Sequence, residues 1–147
     1  MEQMRKLPIG IQTFEKLREE NYLYVDKTAM IYHLASSSTP YFLSRPRRFG
    51  KSLLLSTFEA YFQGRKDLFQ GLAMEKLETS WEEYPVFHLD LNAEKYDTKE
   101  ALEQMLSRSL SLWEDKWGRD SAEDTLASRF AGCIRRTYEQ TGKQVWY

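Results

Sequence analysis

Residues 41–63, YFLSRPRRFGKSLLLSTFEAYFQ, join a short apolar run, a basic loop and a helix-spaced stretch with no spacer between them. This junction constrains the fold more than any other part of the chain. Tyr41-Phe42-Leu43 reads as a short buried strand. Beyond the loop, Leu54, Phe58, Tyr61 and Phe62 fall at i, i+4, i+7 and i+8, one face of a helix, and Gly64 is placed to end it. A helix N-terminus leaves its first N–H groups without intrahelical partners and carries partial positive charge. A strand that delivers a loop to such a terminus builds a place for an anion.

The loop has the residues for one kind of anion. A phosphate loop of the Walker A type needs converging backbone N–H groups, a lysine that reaches the outer phosphates and a hydroxyl for Mg²⁺. Gly50, Lys51 and Ser52 supply its last turn. The front departs from the pattern, because Arg45 stands at the first-glycine position and Pro46 removes a donor N–H. Arg47 and Arg48 can compensate, since guanidinium groups hold phosphate oxygens in bidentate fashion. The candidate nucleotide-binding set is therefore Arg45, Pro46, Arg47, Arg48, Phe49, Gly50, Lys51 and Ser52, with Ser52 reaching a metal through bound Mg²⁺. The plainer alternative is a solvated basic turn, or a nonenzymatic interaction module whose loop contacts nucleic acid or an acidic partner. Between Tyr41 and Lys66, six basic residues face one acid, Glu59, although the whole chain has a net charge of −1.

The remaining pattern sorts into alternating elements. Tyr22 to Val25 reads as extended, Asp26-Lys27-Thr28 caps a helix through about Ala35, and residues 36–40 break it. Val86 to Leu91 reads as a second core strand, ending at Asp90. Two amphipathic helices follow. The first has Asp97 and Glu100 as a capping box, carries Leu102, Met105, Leu106, Leu110, Trp113 and Trp117, and closes at Gly118. The second is capped near Ser121, carries Leu126, Phe130, Cys133, Ile134 and Tyr138, and stops at Gly142. Gln144 to Tyr147 begins another strand. Strands alternating with helices predict an α/β fold with a parallel sheet, and the same order also fits an α+β domain. The expected organisation is a single domain, with residues 1–40 leading into a truncated core over 41–147.

At 147 residues, with 41% hydrophobic and 29% charged residues, the composition is that of a soluble globular chain rather than a disordered or membrane one. No membrane partner is expected, and one cysteine with no secretory signal fits a cytoplasmic location. Two histidines, His33 and His88, give no metal-ligand pattern.

The block YFLSRPRRFGKSLLLSTFEAYFQG, preceded by NYLYVDKTAMIYHL, closely resembles the N-terminal part of the bacterial AAA-ATPase-like family. In that family an arginine-rich RPRRFGKS loop replaces the glycine-rich one, and longer members carry a C-terminal domain resembling PD-(D/E)XK nucleases. The resemblance implies an α/β fold that is an incomplete P-loop NTPase-type three-layer core with a parallel sheet, ATP with Mg²⁺ as ligand and an ATPase as the activity. It also implies an acidic Walker B strand after the two amphipathic helices, where this sequence reads Gln144-Val145-Trp146-Tyr147. The expectation is thus a truncated ATP-binding portion, deficient in hydrolysis, that self-associates through an exposed sheet edge. A nonfunctional frameshifted remnant, with Trp146 and Tyr147 out of frame, is the other reading. Whether the chain is an enzyme stays open at this point.

Overall fold

A computed structural model describes residues 4–37, 39–92 and 95–147. Two compact units divide the chain, residues 1–83 and residues 84–147.

The N-terminal unit is built from α1 (Phe14–Glu19), α2 (Thr28–Ala35), α3 (Lys51–Phe62), a 3₁₀ turn (Lys66–Phe69) and α4 (Ala73–Leu77). Its core gathers Phe14, Ile31, Ala60, Leu68, Phe69, Leu72 and Met74. Phe14 packs on Phe69 at 4.8 Å between ring centroids and meets Tyr24 edge-on at 5.4 Å. Polar pins complement this apolar contact. Asp26 accepts from the Thr28 N–H at 2.9 Å and from the Ala73 N–H at 2.7 Å. The fully buried Thr28 hydroxyl donates to Asp26 and accepts from the Met74 N–H at 3.0 Å. One Asp-x-Thr pair therefore starts α2 and also satisfies the first N–H groups of α4. Burial pushes the Asp26 carboxyl up, but the hydrogen bonds from Thr28 and Ala73 and the charge of Arg18 outweigh it and hold it low.

Helix ends follow the sequence closely. Gly64 adopts φ 69°, the Gly64 N–H donates to the Tyr61 carbonyl and the Arg65 N–H donates to the Ala60 carbonyl. That is a Schellman closure, which needs a left-handed residue and so favours glycine.

The C-terminal unit is a hairpin of α5 (Lys99–Trp117) and α6 (Leu126–Thr141). Phe87, Cys133 and Val145 form its core with Trp113, Trp117, Phe130 and Ile134, and Phe87 stacks on Trp113 at 4.6 Å. A buried ion pair also holds the helices: Arg129 donates to both oxygens of Glu114, at 2.8 Å each, and to the Ser107 hydroxyl at 2.7 Å. Glu123 lies directly over Gly132, where a Cβ would come within 1.8 Å of the carboxylate, and is clamped by Arg136 at 2.6 and 3.0 Å. Thr98 caps α5 in place of the expected Asp97, and Thr125 with Ser128 forms a capping box on α6 beyond the expected Ser121. Tyr138, expected on the inner face of α6, is exposed, and Arg129 and Thr137 are buried there.

The expected α/β fold with a parallel sheet is overturned. The chain is helical, and its β pairing among the described residues is a single parallel bridge between Val86 and Trp146. Tyr41-Phe42-Leu43 is exposed and lies in no helix or strand, and only Phe87 of the Val86–Leu91 run is buried. A strand is completed by hydrogen bonds to a neighbour distant in sequence, and none of the described segments offers one to residues 41–43. With no sheet among the described residues there is no sheet edge for the expected self-association. Ser38, within the expected break after α2, lies outside the described residues.

Two outcomes test these pins. Thr28→Val leaves the Met74 N–H without its acceptor and is expected to cost about 1–3 kcal/mol in urea unfolding. Glu114→Ala strands a buried guanidinium and is expected to cost about 3–5 kcal/mol, with Glu114→Leu/Arg129→Met milder than the single change. Acid titration gives a further check. The hydrogen bonds from Arg129 hold the Glu114 carboxyl below its ordinary 4.5, against the opposing pull of burial. A carboxyl depressed in the folded state stabilises above its unfolded value, so this contribution fades as pH falls below 4.5 toward the folded value. Glu114→Gln should lose less stability than wild type across that window.

Candidate functional site

The hydrogen-bonding needs of helix starts single out one place in this chain. The Phe14 N–H at the start of α1 donates to Ser56 Oγ at 2.9 Å, and the Thr28 N–H of α2 donates to Asp26. The first N–H groups of α4 donate to Asp26 and Thr28, while Thr98 and Thr125 serve α5 and α6. Among the described residues only α3 begins with no side-chain acceptor on its first turn. That helix starts at Lys51, after Gly50, with φ 76° at the glycine.

The loop before it lies on the surface. Residues 41–50 are all exposed, Ser52 is exposed and Lys51 is half-buried. Lys51 turns back over the loop, and its Nζ donates to the Arg45 carbonyl at 2.5 Å and toward that of Pro46 at 3.4 Å. The guanidinium groups of Arg45, Arg47 and Arg48 have no hydrogen bond or ion pair with any described residue. Left-handed backbone occurs at Arg48, φ 66°, and at Gly50, and not at Arg45. The left-handed backbone at Arg48, three residues after the first-glycine position, costs about 1–2 kcal/mol for a residue with a Cβ. Gly50 bears the same geometry without that cost.

The site residues named from sequence thus lie together in one segment: Arg45, Pro46, Arg47, Arg48 and Phe49 in the loop, Gly50 at its end, Lys51 and Ser52 in the first turn of α3. The basic count around them changes. Arg65 is bound by Glu15 at 2.9 Å and by Asp67 at 3.1 Å, and their hydrogen bonds hold its pKa high. It braces α1 against the 3₁₀ turn and is no part of the loop's charge. No group of three or more potential His, Cys, Asp or Glu metal ligands occurs among the described residues. Asp90, the acid at the end of the expected second strand, is exposed and accepts from the Asn92 N–H at 2.8 Å, so it caps a turn. Sequence reasoning treated Asp26 only as a helix cap. Its additional tie to α4 was signalled by nothing local, because Ala73 lies 47 residues away.

The comparison with known families places the chain among AAA-ATPase-like proteins. The chain belongs to that family: residues 8–147 match the family described as "Predicted AAA-ATPase". It is also similar to a protein of Azotobacter chroococcum mcd 1 described as "Uncharacterized protein in vnfD 5'region", at 38% identity over 142 residues. That match takes in 96% of this chain and 28% of the relative, so the chain spans less than a third of the curated relative's length. No solved structure matches it. Among the described residues, no helix is long and apolar enough to cross a membrane.

Gly50→Ala tests the local geometry. Nothing lies within 4 Å of the added Cβ, so any destabilisation reports the backbone alone. A loss of about 1 kcal/mol in unfolding free energy is expected, and no loss would mean that the left-handed conformation is not held in solution.

Proposed function

We propose that this chain binds the phosphates of ATP, with Mg²⁺, through residues Arg45 to Ser52, as the nucleotide-binding portion of an AAA-ATPase-like protein. The observation that carries this reading is the open start of α3 at Gly50-Lys51-Ser52, in a chain of that family. The free N–H groups of α3 and its partial positive charge face the side on which an anion would sit. Lys51 exchanges its loop carbonyls for phosphate oxygens, and Arg47 and Arg48 add bidentate contacts. Ser52, exposed in the first helical turn, offers its hydroxyl to Mg²⁺. These residues fit the group chemically: they supply cations, N–H donors and one hydroxyl, with no carboxylate among them.

Hydrolysis requires in addition an acid to hold the metal and a group to position water. The fixed carboxylates of the N-terminal unit already serve the fold: Asp26 holds α2 and α4, Glu15 and Asp67 hold Arg65, and Glu78 accepts from Tyr61. Asp90 caps its own turn. This chain therefore binds nucleotide without turning it over at an appreciable rate.

Calorimetric titration of wild type and Lys51→Ala with Mg·ATP tests the reading. Removing one charge-assisted hydrogen bond is expected to weaken binding by about 10-fold or more, with no phosphate release above background from either protein. An unchanged titration for Lys51→Ala would reject the assignment of this loop, and steady phosphate release would reject the inference of poor hydrolysis.

A further inference from the structure

Phosphate binding leaves part of the same surface unused. In the segment just before the loop, Phe42 is 92% exposed and Tyr41 58%, and neither ring meets another aromatic ring among the described residues. Phe49, 64% exposed, stands between Arg48 and the start of α3. Three arginines whose guanidinium groups have no partner, Arg45, Arg47 and Arg48, lie between Phe42 and Phe49 in the chain. Elsewhere in the N-terminal unit Arg65 pairs with Glu15 and Asp67 and Arg18 donates to the carbonyls of Leu68 and Gln70, which leaves Arg5 as the one other arginine of the unit without a partner among the described residues. Three of the unit's four free guanidinium groups and its exposed aromatic rings, Tyr41, Phe42 and Phe49, therefore fall on this one stretch.

Each half of that surface calls for a different chemistry. Exposed rings gain by stacking on a flat apolar face, and unpaired guanidinium groups gain by meeting phosphate. A single-stranded nucleic acid presents both at every nucleotide. Duplex hides its base faces, and an acidic peptide has carboxylates without flat faces. We infer that residues 41–48 bind single-stranded nucleic acid, with bases stacked on Tyr41 and Phe42 and phosphates held by Arg45, Arg47 and Arg48. Because Arg45, Arg47 and Arg48 also belong to the nucleotide loop, ATP and the strand compete.

The test is fluorescence anisotropy of a labelled oligothymidine, titrated with the full chain over a range of salt. Three phosphate contacts on a single strand give a log–log salt slope of about −2, and Arg47→Ala/Arg48→Ala should flatten it to about −0.7. Phe42→Ala should weaken the strand about five-fold or more through the lost stack. The same variant should melt like wild type and titrate ATP unchanged, so this inference and the ATP reading can fail independently. Absence of binding at low salt, or equal affinity for Phe42→Ala, would overturn it. So would displacement by polyglutamate as readily as by unlabelled oligothymidine, which would make the surface an acidic-peptide contact.

Discussion

The first N–H groups of each helix must find acceptors, and in this chain the way they do so organises much of what surrounds them. Three of the acceptors are short side chains placed beside the helix they serve or across the core from it: Ser56 for α1, Asp26 for α2, and Asp26 with Thr28 for α4. These bonds do more than end helices. They join α1 to α3 and α2 to α4, so the aromatic core around Phe14 and Phe69 is closed by directed contacts as well as by packing. The exception is α3, whose start is left to Gly50 and to the loop.

That exception is stable because the other end of α3 is firmly set. Ala60 and Phe62 are buried, the Thr57 hydroxyl bonds back to the Leu53 carbonyl, and the Gly64 closure satisfies the last carbonyls. A helix anchored at its C-terminal half can present an unfilled N-terminus without fraying, since the apolar contacts there supply what the missing cap does not. Arg65 belongs to this anchoring. Its pairing with Glu15 and Asp67 places a cation within the fold, while the loop arginines stay in solvent.

The four longer helices, α2, α3, α5 and α6, were readable from sequence to within a few residues because their signals are local, whereas α1 was not read as a helix. Gly64, Gly118 and Gly142 follow their last turns, and the spacing of Leu54, Phe58, Tyr61 and Phe62 marks the inner face of α3. The α6 face was less legible. Its buried Arg129 looks like a surface residue until Glu114, fifteen positions earlier, is brought against it. The strands failed for a related reason. Apolar triplets such as Tyr41-Phe42-Leu43 satisfy a strand pattern, yet the pattern says nothing about whether a partner backbone lies alongside.

By itself, then, the sequence determined the candidate loop, its residue types and its position ahead of a helix, because contiguous residues 45–52 need no folding to be neighbours. The RPRRFGKS block also indicated the family to which the chain belongs. Tertiary structure decided everything that depends on distant partners. It withheld a sheet from the segment before the loop, took Arg65 out of the basic cluster and tied Asp26 to Ala73. It also left α3 as the helix with an open start. The physical reason is the same in each case: hydrogen bonds, ion pairs and strand pairing are satisfied by groups far apart in the chain, and only the fold says which of them meet.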